Sequence, residues 1–582
     1  MDPALQQLTR GGDRAEILEA VARLAPGRTR LPRGAREVTR FGQIRTLRLA
    51  RHDIRRVWAD PTVASLKAPR LLQLERPPNP ALGEGLGLQV SRRPLGLRET
   101  GRGVVVGIID WGFDVAHPAF LDAEGRSRIT ALWDQRRPPR GTSRPAPYGY
   151  GQVFTKRQID RSLAERHPYD ALGYHPGDAD TGIGTHGSHV ADIAAGSARP
   201  DAQSGVAPEA ELVFVHLASS PLSGLANLGD SVRILEAVDF IARTAADKPL
   251  VINMSIGRHG GPHTGLTLVE RALDAFVAGR RNTQIVQSGG NYFRAGAHSA
   301  GRLAPGRRRT LDWIVSRGDR TGNELELWYS NRDRLDIAIA SPDGTPIPVA
   351  LGEAVTFHEP SGEEVGRAYH RAFDPNTPDH HFDVFLYTNA PSGRWRVQVE
   401  GTEVADGRFH AWIERDRGGR RGQSRFSARD IETSCTIGSI CNGFLTIAVG
   451  AADQRSPFTA PASFASAGPT RDGRTKPDVL APGVRIEAAR STPPGEERPV
   501  PGLTRMSGAS QAAPFVAGVC ALCLQAGQGR LDAAQLRRAL IGTATPLRPL
   551  AQADIPRLGA GMIDVEAAVD TARALARHPQ HL

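Results

Sequence analysis

The chain has 582 residues, a net charge of +11, and 23% charged against 40% apolar residues, the balance of a soluble globular protein too long for one ordinary core. The positive charge is almost all arginine, with Lys67, Lys156, Lys248 and Lys476 the only lysines, and it is interleaved with acids rather than gathered into the basic stripe of a nucleic-acid binder. The opening MDPALQQLTRGGDRAEIL lacks an apolar signal-type core, no stretch approaches the ~18 uninterrupted apolar residues of a membrane span, and four cysteines make no disulfide framework, so a cytoplasmic protein with no nucleic-acid or membrane partner is expected.

In chain order, residues 1–80 read as a small α+β unit. AEILEAVARL (15–24) fits strand or helix, QIRTLRL (43–49) a strand, DIRRVWADP (53–61) a helix with Ile54, Val57 and Trp58 on one face, and SLKAPRLLQLE (65–75) a returning strand. The proline-rich ERPPNPALGEGLG (75–87) reads as a linker. From about 100 to 291, apolar runs at 104–109, 212–215, 250–253 and 284–287 alternate with helical patterns such as DSVRILEAVDFIARTA (230–245). That alternation predicts a parallel sheet with helices on both faces, and a further strand, FLTIAVGA (444–451), comes only after a long gap.

The gap has a different texture. Leu325, Leu327 and Tyr329, then Leu335, Ile337 and Ile339, then Trp395, Val397 and Val399 alternate at period two, with turn signals at SPDG (341–344) and PSG (391–393). Residues 292–431 are therefore expected to form an antiparallel β-sandwich inserted into the α/β domain. DPNTPDHHFD (374–383) reads as a solvated loop of this insert rather than a metal cluster. Cys520 and Cys523 fit an apolar helix face, and Cys435 and Cys441 are close enough in sequence to bridge, which a cytosolic setting opposes.

Three short stretches carry chemistry. GVVVGIIDWGFDVAHPAF (103–120) ends a buried strand in Asp110, where open α/β sheets place their sites. GTHGSHVADIAAG (184–196) carries His186 among small residues; His189, one turn on, is expected to pack or hydrogen-bond within its helix. IVQSGGNYF (285–293) ends in Asn291, an amide able to donate to a developing oxyanion or simply to hold a turn. Ser510, in GLTRMSGASQAAPFVAG (502–518), taken alone reads as a helix cap before it reads as a nucleophile. Together Asp110, His186 and Ser510 supply an orienting acid, a base and a nucleophile, in one of the three chain orders that unrelated serine hydrolases use.

On these residues the sequence resembles the subtilisin-like serine proteases (subtilases, family S8). IIDWGFDVAHP, GTHGSHVA, VINMSIG, SGGN and GASQAAP match the family's aspartate, histidine, substrate-strand, oxyanion and serine motifs; GVAPEA (205–210), KPDVLAPG (476–483) and GAGMIDVEAA (559–568) follow in the expected order. The resemblance implies a subtilisin-like α/β fold over 81–291 and 432–582 and a serine endopeptidase acting on protein or peptide substrates. Ser510 would be the nucleophile, His186 its base, Asp110 the orienting acid and Asn291 an oxyanion donor. The backbone around Ser255, Ile256 and Gly257 would pair with substrate, and Ser288, Gly289 and Gly290 would wall a pocket for a sizeable apolar side chain, with Tyr292 and Arg258 able to alter it.

RITALWDQ (128–135), YGQVFTKRQID (150–160) and the β insert look like the clostridial germination-protease subtilases, which carry an inserted jelly-roll and a pro-domain. This likeness implies that residues 1–80 act as a folding aid and inhibitor whose tail enters the active-site cleft. Three positions depart from the pattern: Trp111 and Ala509 each remove a hydroxyl, and Ala119 stands where many relatives place a calcium-ligating Asp. No cofactor and no metal ligand are expected; calcium is possible but not indicated. The rival readings are an inhibited or degenerate protease serving as a binding or signalling scaffold, and a ligand-binding role for the insert.

Overall fold

The computed structural model describes residues 1–69, 73–74, 93–94, 96–136, 145–180, 182–200, 202–218, 230–319, 321–414, 423–454 and 459–577. The linker expected at 75–87 lies outside the described residues apart from its approach at Gln73–Leu74. Among the described residues, one nine-stranded sheet organises the chain, in the order Ala460–Pro461, Ile447–Asp453, Thr283–Ser288, Leu250–Met254, Val105–Asp110, Glu211–His216, Ile129–Asp134 and Gln152–Thr155, with Val479–Pro482 also pairing Ile447–Asp453. Pairing is parallel except at Gln152–Thr155 and Ala460–Pro461.

Every residue of Val105–Asp110 is buried, because both sheet faces are covered, and a continuous apolar run is what such a strand requires. Val106 and Ile108 join the core of Val190, Ile193, Val516 and Val519, from helices His186–Ala195 and Ala509–Ala526. Val105 and Ile109 point the other way, to Val232, Leu235, Val238 and Ile241 of Asp230–Ala245 and Leu273 of Leu268–Gly279. Ala509–Ala526 is the one described helix long and apolar enough to cross a membrane, and it is the core helix of this sheet, with 89% of its length buried inside the protein.

The N-terminal residues form a four-stranded antiparallel sheet, ordered Ala35–Phe41, Ile44–Ala50, Ile17–Leu24 and Val63–Lys67. The ambiguous stretch at 15–24 is a strand. It lacks alternation because one face packs on helices Pro3–Leu8 and Ile54–Ala59, while Val21 with Val38, Phe41 and Ile44 packs on the Asp230–Ala245 and Leu268–Gly279 side of the central sheet. In the short second helix Ile54 and Val57 are buried, but Trp58 is 42% exposed and does not share their face. Buried ion pairs lock this unit down: Arg48 to Glu236 at 2.8 Å and Arg233 to Glu19 at 2.6 Å.

Between Asn291 and Ile447 two antiparallel sheets face each other. One has six strands (His298–Arg302, Arg408–Ile413, Asn323–Tyr329, His380–Leu386, Glu364–Arg371, Ala354–His358) and the other five (Ile347–Val349, Arg334–Ala340, Gly393–Glu403, Arg308–Val315, Arg425–Phe426). Leu325, Leu327, Ile337, Ile339, Trp395 and Val397 fill the space between them. The stretch 374–383 is not a solvated loop. Asp374, Asn376, Thr377, His381 and Asp383 are buried, and from His380 the chain is a strand. The N-terminal unit covers it: Asp374 pairs with Lys67 at 2.8 Å and Arg23 donates to Asn376 at 3.1 Å. A polar sequence gives no local sign of a lid supplied by residues some 300 positions away.

Candidate active site

Asp110, Ser255 and Ser288–Asn291 stand at the carboxyl ends of three adjacent parallel strands, Val105–Asp110, Leu250–Met254 and Thr283–Ser288. Asp110 is fully buried, and its Oδ1 accepts from the Trp111 amide at 2.7 Å and from His186 Nδ1 at 2.8 Å. His186 is the first residue of its helix, so the next two amides have no intrahelical acceptor. The turn after Asp110 supplies them: Gly187 donates to the Trp111 carbonyl at 2.9 Å and Ser188 to that of Gly112 at 3.0 Å. Gly112, at φ +74°, makes this approach feasible, because a Cβ there would stand 2.6 Å from the Thr185 methyl. Asp110 Oδ2 is buried with no hydrogen-bond partner among the described residues, consistent with tryptophan in place of a hydroxyl residue at 111.

Ser510 is the second residue of Ala509–Ala526 and is fully buried. Its hydroxyl donates to the Ser255 carbonyl at 3.3 Å, and Ser255 Oγ donates to the Ser510 carbonyl at 2.9 Å. Among the described residues no hydrogen bond joins the Ser510 hydroxyl to His186; catalytic hydrogen bonds often tighten only when substrate is bound. Asn291 is oriented by the same helix terminus: its Oδ1 accepts from the Ala509 amide at 2.9 Å. Only the oxygen can accept an N–H, so the amide nitrogen faces the other way. It can donate there alongside the first-turn amide of Ser510.

Ile256–Gly257 is a two-residue strand paired antiparallel with Gln73–Leu74, Ile256 opposite Leu74 and Gly257 opposite Gln73. Gly289 lies between two backbone bonds, donating to Val449 at 2.8 Å and accepting from Gly438 at 2.9 Å. Gly438, which sequence reasoning missed, thus adjoins the Ser288–Gly290 wall; its only signal is a Gly-Ser step in an apolar stretch. Ser466 was missed as well, and its hydroxyl accepts the Tyr292 amide at 3.0 Å. Neither Tyr292 nor Arg258 lies loose at this site: Tyr292 stacks on His259 at 4.4 Å, and Arg258 is 6% exposed against carboxylates of the β insert.

His189 turns away from His186, and its Nε2 bonds the Ile486 carbonyl of a neighbouring strand at 3.0 Å, not a group of its own helix. All four cysteines are buried thiols outside any disulfide, and burial pushes the Cys435 thiol up to about 11 and those of Cys520 and Cys523 higher still. Among the described residues no group of three or more His, Cys, Asp or Glu is placed to hold a metal ion.

The sequence model of the subtilase family matches residues 101–307 and 422–561. The PIII-type proteinase of Lactococcus lactis subsp. cremoris is 24% identical over 544 residues, covering 82% of this chain and 25% of that protein. Serine protease AprX of Bacillus subtilis is 42% identical over 89 residues, 14% of this chain and 20% of its own. The chain thus spans about a quarter or less of the length of these curated relatives. Among solved structures, the CspB protease of Clostridium perfringens superposes with a TM-score of 0.67 at 24% identity, covering 84% of this chain and 97% of that one, a likeness of fold.

Proposed function

The chain belongs to the subtilase family, and from that premise we propose that it is a serine endopeptidase working through Asp110, His186 and Ser510. The observation that carries the reading is the 2.8 Å bond from His186 Nδ1 to buried Asp110. It holds the imidazole in the tautomer whose Nε2 accepts a proton. The Ser510 hydroxyl passes its proton to that nitrogen as its oxygen attacks the substrate carbonyl. Asn291 and the Ser510 amide stabilise the oxyanion, His186 returns the proton to the leaving amine, and water hydrolyses the acyl-enzyme. Ile256–Gly257 pairs with the substrate as an added strand, and Ser288, Gly289 and Gly290 border the side-chain pocket.

The N-terminal unit is an inhibitor in cis, and the enzyme processes it. The pairing of Gln73–Leu74 with Ile256–Gly257 supports this, because a substrate needs the same strand. Intact mass of the full chain beside Ser510→Ala, with an active-site serine probe on both, tests the reading. Labelling and cleavage beyond Leu74 in the wild type alone are expected. A wild type that takes no probe and cuts no peptide would overturn the endopeptidase in favour of a scaffold.

A further inference from the structure

The chain leaving the strand Ile256–Gly257 runs directly into the β insert. Arg258 follows it and is buried, its Nη2 2.6 Å from Glu326 and its Nε 3.1 Å from Glu414, with Glu324 3.6 Å away. Glu414 also grips the backbone: Oε1 accepts the amide of His259 at 3.0 Å and Oε2 that of Gly260 at 2.9 Å. From the opposite side the Ser439 amide donates to the Arg258 carbonyl at 2.9 Å. Gly260 has no space for a side chain, since a Cβ would lie 2.8 Å from Arg258 and 2.9 Å from Glu326. His259 then stacks on Tyr292, the neighbour of Asn291.

We infer that Glu414 and Glu326 are positioning residues for substrate binding: two carboxylates of the β insert that touch no reacting atom but hold, through Arg258 and two backbone amides, the edge strand on which substrate pairs. The insert is thereby part of the peptide-binding machinery and not an appended module. The geometry matches the demand. A two-residue strand has few ladder bonds of its own, so its place must be set from its flanks. A carboxylate accepting two successive amides and an Arg fixes one flank with charge-assisted bonds, the strong kind. Burial makes the grip stringent, because removing one partner strands the others without compensation.

This inference rests on the endopeptidase reading, and two readouts separate their failures. The first, made on enzyme that has cleaved its N-terminal unit so that the tail no longer occupies Ile256–Gly257, compares an extended peptide substrate, long enough to pair with that strand, with a small active-site serine probe that needs only Ser510 and His186. In Glu414→Ala, kcat/KM for the extended peptide is expected to fall on the order of 10²-fold, chiefly through KM, with probe labelling changed less than about twofold. Glu414→Gln, which keeps an acceptor for one amide, is expected to recover part of the loss, and Glu326→Gln to fall between. Equal losses on peptide and probe, or no loss on either, would overturn the inference.

The second readout needs no turnover. In a Ser510→Ala background, amide hydrogen exchange over 255–260 is expected to speed up in Glu414→Ala, with exchange in the central strand 105–110 unchanged. Unchanged exchange at 255–260 overturns the inference even if the wild type proves inert. Faster exchange there in an inert wild type would support the inference's structural half and count against the endopeptidase alone.

Discussion

Ser255 and Ser510 hold each other through their main chains and side chains: each hydroxyl donates to the other's carbonyl, at 2.9 Å from Ser255 and 3.3 Å from Ser510. The reason lies four residues on, at Pro514, inside the helix. A proline has no N–H, so the Ser510 carbonyl loses its usual intrahelical donor and is open to a hydroxyl from another strand. The helix bearing Ser510 is thereby tied to the strand that leads into Ile256–Gly257.

Ser255→Ala is accordingly expected to leave a buried carbonyl unsatisfied and to cost about 1–3 kcal/mol. Adding Pro514→Ala restores an N–H to the same carbonyl, so the double variant should recover part of that loss instead of adding to it. Urea unfolding of the two single variants and the double variant checks this; simple additivity would show that the two groups do not share the carbonyl.

On the proposed mechanism, replacing Asn291 with Ala removes a donor to the developing oxyanion together with the acceptor of the Ala509 amide. The expected result is a fall in kcat of roughly 10²–10³-fold with KM nearly unchanged. Steady-state kinetics on one peptide decides it, and a loss confined to KM would assign Asn291 to ground-state binding.

Acid should weaken the seam between the insert and the central sheet. His263 stacks on Trp412 at 4.1 Å, and His298 stacks on Trp412 at 4.9 Å and bonds His410 at 3.1 Å. Burial, with the neighbouring charges of Arg471 and Arg408, holds His410 down at about 3, and burial with nearby histidines holds His263 and His298 well below the ordinary range. In the unfolded chain these rings take up protons near pH 6.5, so between pH 6.5 and about 3 the unfolded state binds more protons. Stability therefore falls as pH drops through that window and is unaffected by these groups above it. Unfolding free energies from pH 8 to 4 should show this slope, and His410→Gln should reduce it.

The pairing of the N-terminal tail with Ile256–Gly257 predicts a gain of reactivity. Replacing Gln73 and Leu74 together with Pro removes both amides that the tail can offer to that pairing, and the uncleaved variant should label with an active-site serine probe several-fold faster than the uncleaved wild type. Equal rates would mean that this tail does not limit access to Ser510.

Much of this fold was legible because its signals are local. A fully apolar run such as 104–109 requires cover on both faces, and period-two alternation at 325–329 or 395–399 leaves one face for a core. Other readings failed where the deciding partner is remote in sequence. The polar stretch 374–383 is buried by the N-terminal unit, and Trp58 is exposed despite its helical spacing, whereas His189 packs as expected and only its bond to Ile486 on another strand was not foreseen.

The candidate site divides along the same line. His186, Asn291 and Ser510 stand out in sequence because each sits in a short run of small residues at the end of a strand or the start of a helix, and Asp110 because it closes a fully apolar strand run. That the Ala509 amide turns the Asn291 nitrogen outward, that Pro514 frees a carbonyl for Ser255, and that Glu326 and Glu414 grip the chain beside Ile256–Gly257 were decided by tertiary structure alone. These contacts join residues from tens to hundreds of positions apart, and a buried carboxylate's partner is set by what packs against it, which no local pattern encodes.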